Sequence, residues 1–124
     1  MWCTVERMDS EESTDEYLSQ ILAALSSEPV EKVILFGSAA SGKIGPDSDL
    51  DLLIVMDTDY LPRTYQERME YRLEIQRKVR DIRKKVALDL LIYTRAEYKL
   101  VTQDMSSFMR DVHDFGKVIY EKAG

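Results

Sequence analysis

The sequence predicts an α/β fold in which a single mixed β-sheet packs against helices. Short apolar segments of strand length alternate with longer segments whose apolar residues repeat with the helical period. Two of the predicted strands contain the same pentapeptide, Leu-Asp-Leu-Leu-Ile, at 50–54 and at 88–92. Glycine and proline separate several of these segments, as they do where connections turn sharply.

The chain is 124 residues long, which allows one compact domain with a real core but not two ordinary domains. We therefore expect a single domain over residues 1–124, with residues 1–12 as a mobile lead-in. The formal net charge is −6, from 17 Lys and Arg against 23 Asp and Glu. Such a surface as a whole is not suited to nucleic acid, although a local basic patch is compatible with it.

Three features predict a cytoplasmic protein. The single cysteine, Cys3, excludes an internal disulfide and a cysteine zinc site, and it fits a reducing compartment. No apolar run approaches the roughly 20 residues that are needed to cross a bilayer. The first residues lack the basic and apolar regions of a signal peptide, so we expect no membrane partner.

The first helix and the first two strands follow one another along the chain. Ser13 and Glu16 form a predicted capping box, so we expect the helix to begin there and to end near Ser26. Residues 30–36 have the length and composition of a short buried strand. Residues 50–56 form the second strand, and we expect it to be central because both of its faces are mostly apolar.

A long helix is predicted next, from about Arg63 into the basic segment 77–85. Its inward stripe is expected to consist of Tyr65, Met69, Leu73, Val79 and Ile82. Segment 77–85 holds six cations against one acid. It is either a solvated helix end whose cations interact favourably with the macrodipole, or a docking patch for an acidic partner or RNA.

Four shorter elements complete the prediction. Residues 86–93 form a third apolar strand. Thr94 and Glu97 form a second capping box, which opens a short helix. A last helix is expected over about 103–115, and residues 117–121 form a short edge strand.

Three aspartates carry the candidate chemistry. Asp49 and Asp51 are two residues apart at the start of the second strand, so their carboxylates point to the same face. Asp51 and Asp89 each lie inside an apolar strand, where aspartate is rare unless it is paired or bound to metal. If these strands are neighbours, the two lie side by side with Asp49 close to both. Alternatively, Asp49 and Asp51 are loop and N-cap residues, and Asp89 lies in its strand by chance.

This carboxylate cluster predicts a divalent metal site. Two unit charges about 4 Å apart repel by about 4 kcal/mol at an effective dielectric near 20, so three carboxylates do not all stay ionised unaided. Either one pKa rises or a divalent cation neutralises the group. Hard oxygen ligands without His or Cys favour Mg²⁺ or Mn²⁺ over zinc.

A Gly-Ser turn precedes the aspartates. Glycine at position 37 allows the backbone to approach a ligand closely, and Ser38 offers a hydroxyl and backbone N–H groups to phosphate oxygens. A plain helix N-cap would use the same Gly-Ser pair, so the pair alone does not indicate phosphate binding. It does so here because ten residues separate it from Asp-x-Asp. Lys43 and Ser48, in the intervening loop, complete the predicted phosphate-binding set with Gly37 and Ser38.

The segment GSAASGKIGPDSDLDL resembles the Gly-Ser-x10-Asp-x-Asp signature of the DNA polymerase β-like nucleotidyltransferase superfamily. In size the chain is similar to the minimal nucleotidyltransferase (MNT) branch, whose members often serve as antitoxins to HEPN-domain ribonucleases. The motif covers residues 37–51, Asp89 matches the third carboxylate of the family, and the order of elements extends the match over about 30–122. The resemblance implies the polymerase-β-like nucleotidyltransferase fold.

The resemblance also implies a reaction, the transfer of a nucleoside monophosphate from an NTP such as ATP to a hydroxyl, with pyrophosphate leaving. Asp49 and Asp51 would hold Mg²⁺ against the triphosphate. Asp89 would complete a second metal position and orient the acceptor hydroxyl, and Gly37 with Ser38 would bind the β- and γ-phosphates. This is two-metal catalysis of an in-line displacement, with Mn²⁺ as the alternative ion.

Two positions depart from the family pattern. Many family members carry arginines where Ala39 and Ser41 stand here, which predicts weaker triphosphate binding unless Lys43 compensates.

Three functions stay open. The first is transfer to a partner protein, expected to be a HEPN-type toxin, and the second is an antitoxin that binds the toxin without catalysis. The third is transfer to a small molecule such as an aminoglycoside, or to RNA held by segment 77–85.

Overall fold

The computed structural model describes residues 10–37, 50–103, 112, 114 and 116–122. In chain order these residues form α1 (Ser10–Ala24), β1 (Val30–Phe36), β2 (Leu50–Met56), α2 (Tyr65–Lys78), α3 (Arg80–Arg83), β3 (Leu88–Thr94), α4 (Arg95–Gln103) and β4 (Lys117–Glu121). The strands form one sheet in the order β3-β2-β1-β4. β1 pairs antiparallel with β2 and β4, and β2 pairs parallel with β3. The predicted α/β fold with a single mixed sheet is confirmed.

Three of the four strands have the predicted bounds, and β3 is shifted by one or two residues. Helix α1 begins at Ser10, so Ser13 lies inside the helix and the capping box predicted to start it is wrong. Residues 10–12 belong to this helix, whereas 1–9 and most of the last predicted helix fall outside the described residues. None of the helices in these ranges is long and apolar enough to cross a membrane.

The sheet buries both of its faces. On one face Leu52 and Ile54 of β2 pack in the cluster that contains residues of α1, α2 and α3. On the other face Leu53 and Val55 pack with Val112 and with partly buried residues of α4. Because successive strand side chains point to opposite faces, β2 is apolar throughout its middle and lies at the centre of the core, as predicted.

The apolar stripe predicted for α2 is wrong over most of its length. Tyr65 and Leu73 are 74% and 48% exposed, and the helix instead buries Ile75, which is 0% exposed. Val79 and Ile82 are buried as expected, although Val79 separates α2 from the short helix α3. Apolar side chains spaced four apart occur on two sides of this helix, so periodicity did not decide which side faces the sheet.

Reciprocal hydrogen bonds start α4. The backbone N–H of Thr94 donates to Glu97 Oε1 at 3.0 Å, and the N–H of Glu97 donates to Thr94 Oγ1 at 3.1 Å, which confirms this predicted capping box. Helix α2 begins similarly, because Thr64 Oγ1 accepts the N–H of Glu67 at 3.1 Å. The Thr-x-x-Glu spacing at 64–67 was a signal for this start that the sequence reading missed.

The Glu97 carboxylate, 7% exposed, also joins α4 to α2. It accepts an N–H of Arg68 at 3.1 Å and the hydroxyl of Tyr71, and burial together with this hydrogen bond raises the pKa of Tyr71. We expect Glu97→Ala to lower the free energy of unfolding by about 2–3 kcal/mol, because it removes a helix cap and leaves two partly buried donors without their acceptor. Urea denaturation measures this loss.

Glu74→Ala is the matched control for Glu97→Ala. The Glu74 side chain is 47% exposed and pairs with Arg77 one turn along the same helix. Exposed pairs of this kind contribute little, so a change within about 0.5 kcal/mol is expected. Equal losses in the two variants would contradict the role given to the buried carboxylate.

An ion-pair network lies at the C-terminal end of β2. Asp57 hydrogen-bonds Lys122, which follows β4, and Arg95, which opens α4. Arg95 also hydrogen-bonds Glu31 of β1 at 2.9 Å. The bonds from Lys122 and then Arg95 lower the pKa of Asp57 below its ordinary value of 3.8. The network therefore links three strands and a helix through charges that stay paired at neutral pH.

The lowered pKa predicts a pH-dependent contribution of Asp57 to stability. Because its pKa is lower in the folded than in the unfolded state, the contribution is complete above the ordinary value and is lost as pH falls through the folded value. We expect Asp57→Asn to be less stable than the parent at pH 7, with a smaller difference at about pH 3. Urea denaturation at both pH values tests this. Asp81→Asn, at a side chain that is 90% exposed, should show no such pH dependence. A stability difference between Asp57→Asn and the parent that grows as pH is lowered would contradict the prediction.

Candidate active site

The sheet brings two of the predicted aspartates together. β2 and β3 run parallel in a register that sets Asp51 opposite Asp89, with Leu50 opposite Leu88 beside them. Neighbouring strands lie about 4.8 Å apart, and residues in register point to the same face. The two Leu-Asp-Leu-Leu-Ile segments therefore align residue for residue, and the expected juxtaposition of Asp51 and Asp89 is confirmed.

The two carboxylates have different surroundings. Asp51 is half-buried in a central strand, whereas Asp89 is exposed on the outer strand β3. By strand alternation both share the face that carries Leu53 and Val55, which belong to the smaller hydrophobic cluster. One carboxylate is thus held by the core and its neighbour is open to solvent.

Gly37 lies directly against Asp51. It follows β1 with a φ of +77°, in the left-handed region that glycine adopts without steric cost. The pairing of β1 with β2 sets Phe36 opposite Asp51, so the chain turns at Gly37 beside that carboxylate. A Cβ at position 37 would lie 3.1 Å from Asp51 Cγ and would collide with Oδ2. The sequence predicted a glycine that lets a ligand approach; the structure adds that the aspartate itself needs the space.

The rest of the predicted site lies outside the described residues. This applies to the loop positions Ser38, Ala39, Ser41, Lys43, Ser48 and Asp49. Among the residues that are described, no three His, Cys, Asp or Glu side chains gather into a metal site. The third ligand and the phosphate-binding loop therefore stay predictions.

The donor set that the sheet assembles fits a hard divalent cation. Asp51 and Asp89 offer carboxylate oxygens, which Mg²⁺ and Mn²⁺ prefer. Two ionised carboxylates at neighbouring register positions repel each other. A cation held between them would remove this repulsion.

Comparison with known families identifies the class of protein. Residues 19–123 match the family model described as polymerase beta, nucleotidyltransferase. The chain therefore belongs to the polymerase β nucleotidyltransferase family, and the predicted polymerase-β-like fold is confirmed. No curated protein sequence is significantly similar to it.

Solved structures share this fold at low sequence identity. A candidate nucleotidyltransferase from Sulfolobus solfataricus has a TM-score of 0.60 and 19% identity, covering 91% of this chain and 85% of that one. A toxin-antitoxin structure with AMP-PNP has a TM-score of 0.51 and 17% identity, covering 84% and 73%. Spectinomycin adenyltransferase AAD(9) from Enterococcus faecialis, with ATP and spectinomycin, has a TM-score of 0.55 and 21% identity, covering 91% and 57%. At these identities the likeness establishes the fold.

Proposed function

We propose that the protein is an Mg²⁺-dependent nucleotidyltransferase that transfers AMP from ATP to a hydroxyl group of a partner protein. The observation that carries this proposal is the register of β2 and β3, which sets Asp51 beside Asp89 next to the turn at Gly37. The family supports the reaction class. The fold neighbour solved as a toxin-antitoxin with AMP-PNP supports ATP as donor and a toxin as partner, and we propose a toxin of the HEPN type.

The residues of this chain have distinct roles in the proposal. Asp51 and Asp89, with Asp49 as the third predicted ligand, would hold Mg²⁺ or Mn²⁺, which when bound offsets the negative charge of the triphosphate and of the departing pyrophosphate. Gly37 and Ser38 would offer backbone N–H groups to the phosphate oxygens, as predicted from the sequence. Asp89, open to solvent, orients the acceptor hydroxyl and accepts its proton.

The proposed reaction is a single in-line displacement. The acceptor oxygen forms a bond to the α-phosphorus of ATP while the bond from that phosphorus to the bridging oxygen of pyrophosphate breaks. The hydroxyl proton passes to the carboxylate, and pyrophosphate departs with the electron pair. Positioning of the two oxygens and stabilisation of the developing negative charge would supply the rate enhancement of such a displacement.

Label transfer tests the proposed function. The protein is incubated with α-labelled ATP, Mg²⁺ and the purified product of the adjacent gene, which under this proposal is the toxin. Label on the toxin is expected, and chelation of the metal by EDTA is expected to abolish it. Absence of label with metal present and all three aspartates intact would overturn the proposal.

Binding without catalysis is the second candidate function, and the replacement of family arginines by Ala39 and Ser41 favours it. In this case the protein neutralises its toxin by covering it. The double variant Asp49→Asn with Asp51→Asn separates the two functions. Neutralisation that survives this change supports covering, whereas neutralisation that is lost while the complex persists supports catalysis.

Two other acceptor classes can be tested in the same label-transfer experiment. The fold likeness to spectinomycin adenyltransferase supports an aminoglycoside-like acceptor, although this chain covers 57% of that protein. The basic segment 77–85 supports an RNA acceptor. Label on either molecule in place of the toxin would identify the acceptor class. Such a result would not contradict the predicted metal site.

A further inference from the structure

A groove runs along the outer edge of the sheet, between α2 and β3. Its volume is about 440 Å³, and it is lined by Met69, Arg72, Leu73, Gln76 and residues 90–93. In the sheet of the described residues, β3 is an edge strand. Residues 90–93 directly follow Asp89 in β3, so one end of the groove lies near that strand position.

The helical wall of the groove belongs to an apolar stripe that the core does not use. Tyr65, Met69 and Leu73 are spaced four apart and therefore lie on one face of α2. Tyr65 is 74% exposed and Leu73 is 48% exposed, while the opposite side of the helix packs on the sheet through Ile75. Contiguous exposed apolar side chains beside a groove are typical of an interaction surface.

The stretch of chain that supplies the helical wall of the groove is basic, whereas the rest of the protein is acidic. Residues 63–85 contain nine Lys and Arg against four Asp and Glu, a net charge of +5, whereas the whole chain has −6. The remaining residues thus carry −11, and Arg72, which belongs to stretch 63–85, lines the groove itself. This asymmetry favours a partner whose contact surface is acidic.

The open edge of β3 is protected against pairing with another strand. The carbonyl of Ala87 accepts a hydrogen bond from β2 at 2.9 Å, so by strand alternation the carbonyls of Leu88 and Ile92 point away from β2. Both accept guanidinium N–H groups, the first from Arg83 at 2.7 Å and the second from Arg72 at 3.2 Å. An added strand would have to displace these arginines, so the groove is better suited to side chains from a helix.

We propose that this groove binds an amphipathic helix of an acidic partner protein. The apolar face of that helix lies on Met69 and Leu73, and its acidic flank faces Arg72 and the neighbouring cations. The apolar lining favours protein over RNA, which is bound mainly through basic and stacking aromatic side chains. The inference rests on the proposed function in one respect, because a partner held in this groove would lie near Asp89.

Two synthetic helical peptides test the proposal. Both present the same leucine stripe, and their flanking positions carry Glu in one and Lys in the other. Fluorescence anisotropy measures binding to the intact protein without nucleotide or Mg²⁺. We expect the Glu peptide to bind at least about 10-fold more tightly than the Lys peptide, and to bind more weakly as NaCl is raised, because salt screens exposed charges.

Leu73→Glu and Leu100→Glu form a matched pair of variants. The two leucines are 48% and 51% exposed, but Leu100 lies on α4 and does not line the groove. Leu73→Glu should weaken the Glu peptide at least about 10-fold, because it places a like charge on the apolar contact. Leu100→Glu should bind as the parent does, and circular dichroism verifies that both variants are folded.

Four results would overturn the proposal. These are no binding of either peptide, equal binding of both, equal loss in the two leucine variants, and displacement of the Glu peptide by an RNA hairpin, which would indicate a nucleic-acid surface. Sedimentation of the protein alone provides a further check, since a dimer that Leu73→Glu dissociates would show that a second copy occupies the groove. Asp51→Asn should leave peptide binding unchanged, so failure of the groove and failure of the proposed catalysis are distinguishable.

Discussion

Asp51→Asn is expected to lower the rate of AMP transfer by at least about 10³-fold, and Asp89→Asn is expected to do the same. Each change replaces a charged metal ligand with a neutral amide of nearly the same shape. A loss of several kcal/mol of charge stabilisation corresponds to this factor, since each 1.36 kcal/mol is tenfold in rate. Initial rates of label transfer at saturating ATP and Mg²⁺ measure the effect.

Stability measurements separate this loss of activity from misfolding. Without metal, Asp89→Asn should be at least as stable as the parent, because the repulsion between two neighbouring carboxylates is removed at an exposed side chain. Circular dichroism verifies that Asp51→Asn is folded. Added Mg²⁺ should raise the thermal midpoint of the parent but not that of the variants, since a ligand stabilises only the state that binds it. Asp81→Asn, at a side chain that is 90% exposed on α3, is the matched control and should retain full activity. Retained activity in Asp51→Asn would show that this carboxylate is not part of the site.

Gly37→Ala is expected to reduce Mg²⁺ binding and AMP transfer at least about 10²-fold and to destabilise the fold. An alanine in the left-handed conformation costs about 1–2 kcal/mol, and its Cβ would have to displace the Asp51 carboxylate. Movement of a ligand away from its place weakens the metal site even though every ligand is still present. Titration calorimetry with Mg²⁺ and the label-transfer rate measure the two losses.

Gly116→Ala distinguishes a local effect on the site from a general loss of stability. A Cβ at Gly116 would lie too close to the carbonyl oxygen of Val112 and to Ile34 Cγ2, so this variant should also be destabilised. Its neighbours do not include the paired aspartates, and Mg²⁺ binding should therefore persist under conditions where it is folded. Equal losses of Mg²⁺ affinity in both glycine variants would contradict the role proposed for position 37.

Local patterns in the sequence were sufficient for the strands, for one helix start and for the choice of candidate aspartates. The apolar runs at 30–36 and 50–56 gave the correct strand bounds, because buried strands need both length and β-prone residues. The Thr94–Glu97 spacing predicted a helix start, because a capping box is formed by residues only three apart. The repeated Leu-Asp-Leu-Leu-Ile marked two aspartates whose position inside apolar strands required an explanation.

Tertiary structure decided what local patterns leave open. Helix α2 carries apolar side chains on two sides, and only packing on the sheet shows that Ile75 is inside and Leu73 outside. The requirement for glycine at position 37 comes from Asp51, which is distant in sequence and close only through strand pairing.

The sequence by itself therefore determined the strands and one helix cap, and it singled out Asp51 and Asp89, since each depends on residues near one another in the chain. Asp49 stays a prediction. The pairing of Asp51 with Asp89 depends on the order of strands in the sheet, as does the groove beside β3. That order is set by the burial of β2 on both faces, a property of the whole core rather than of any one segment.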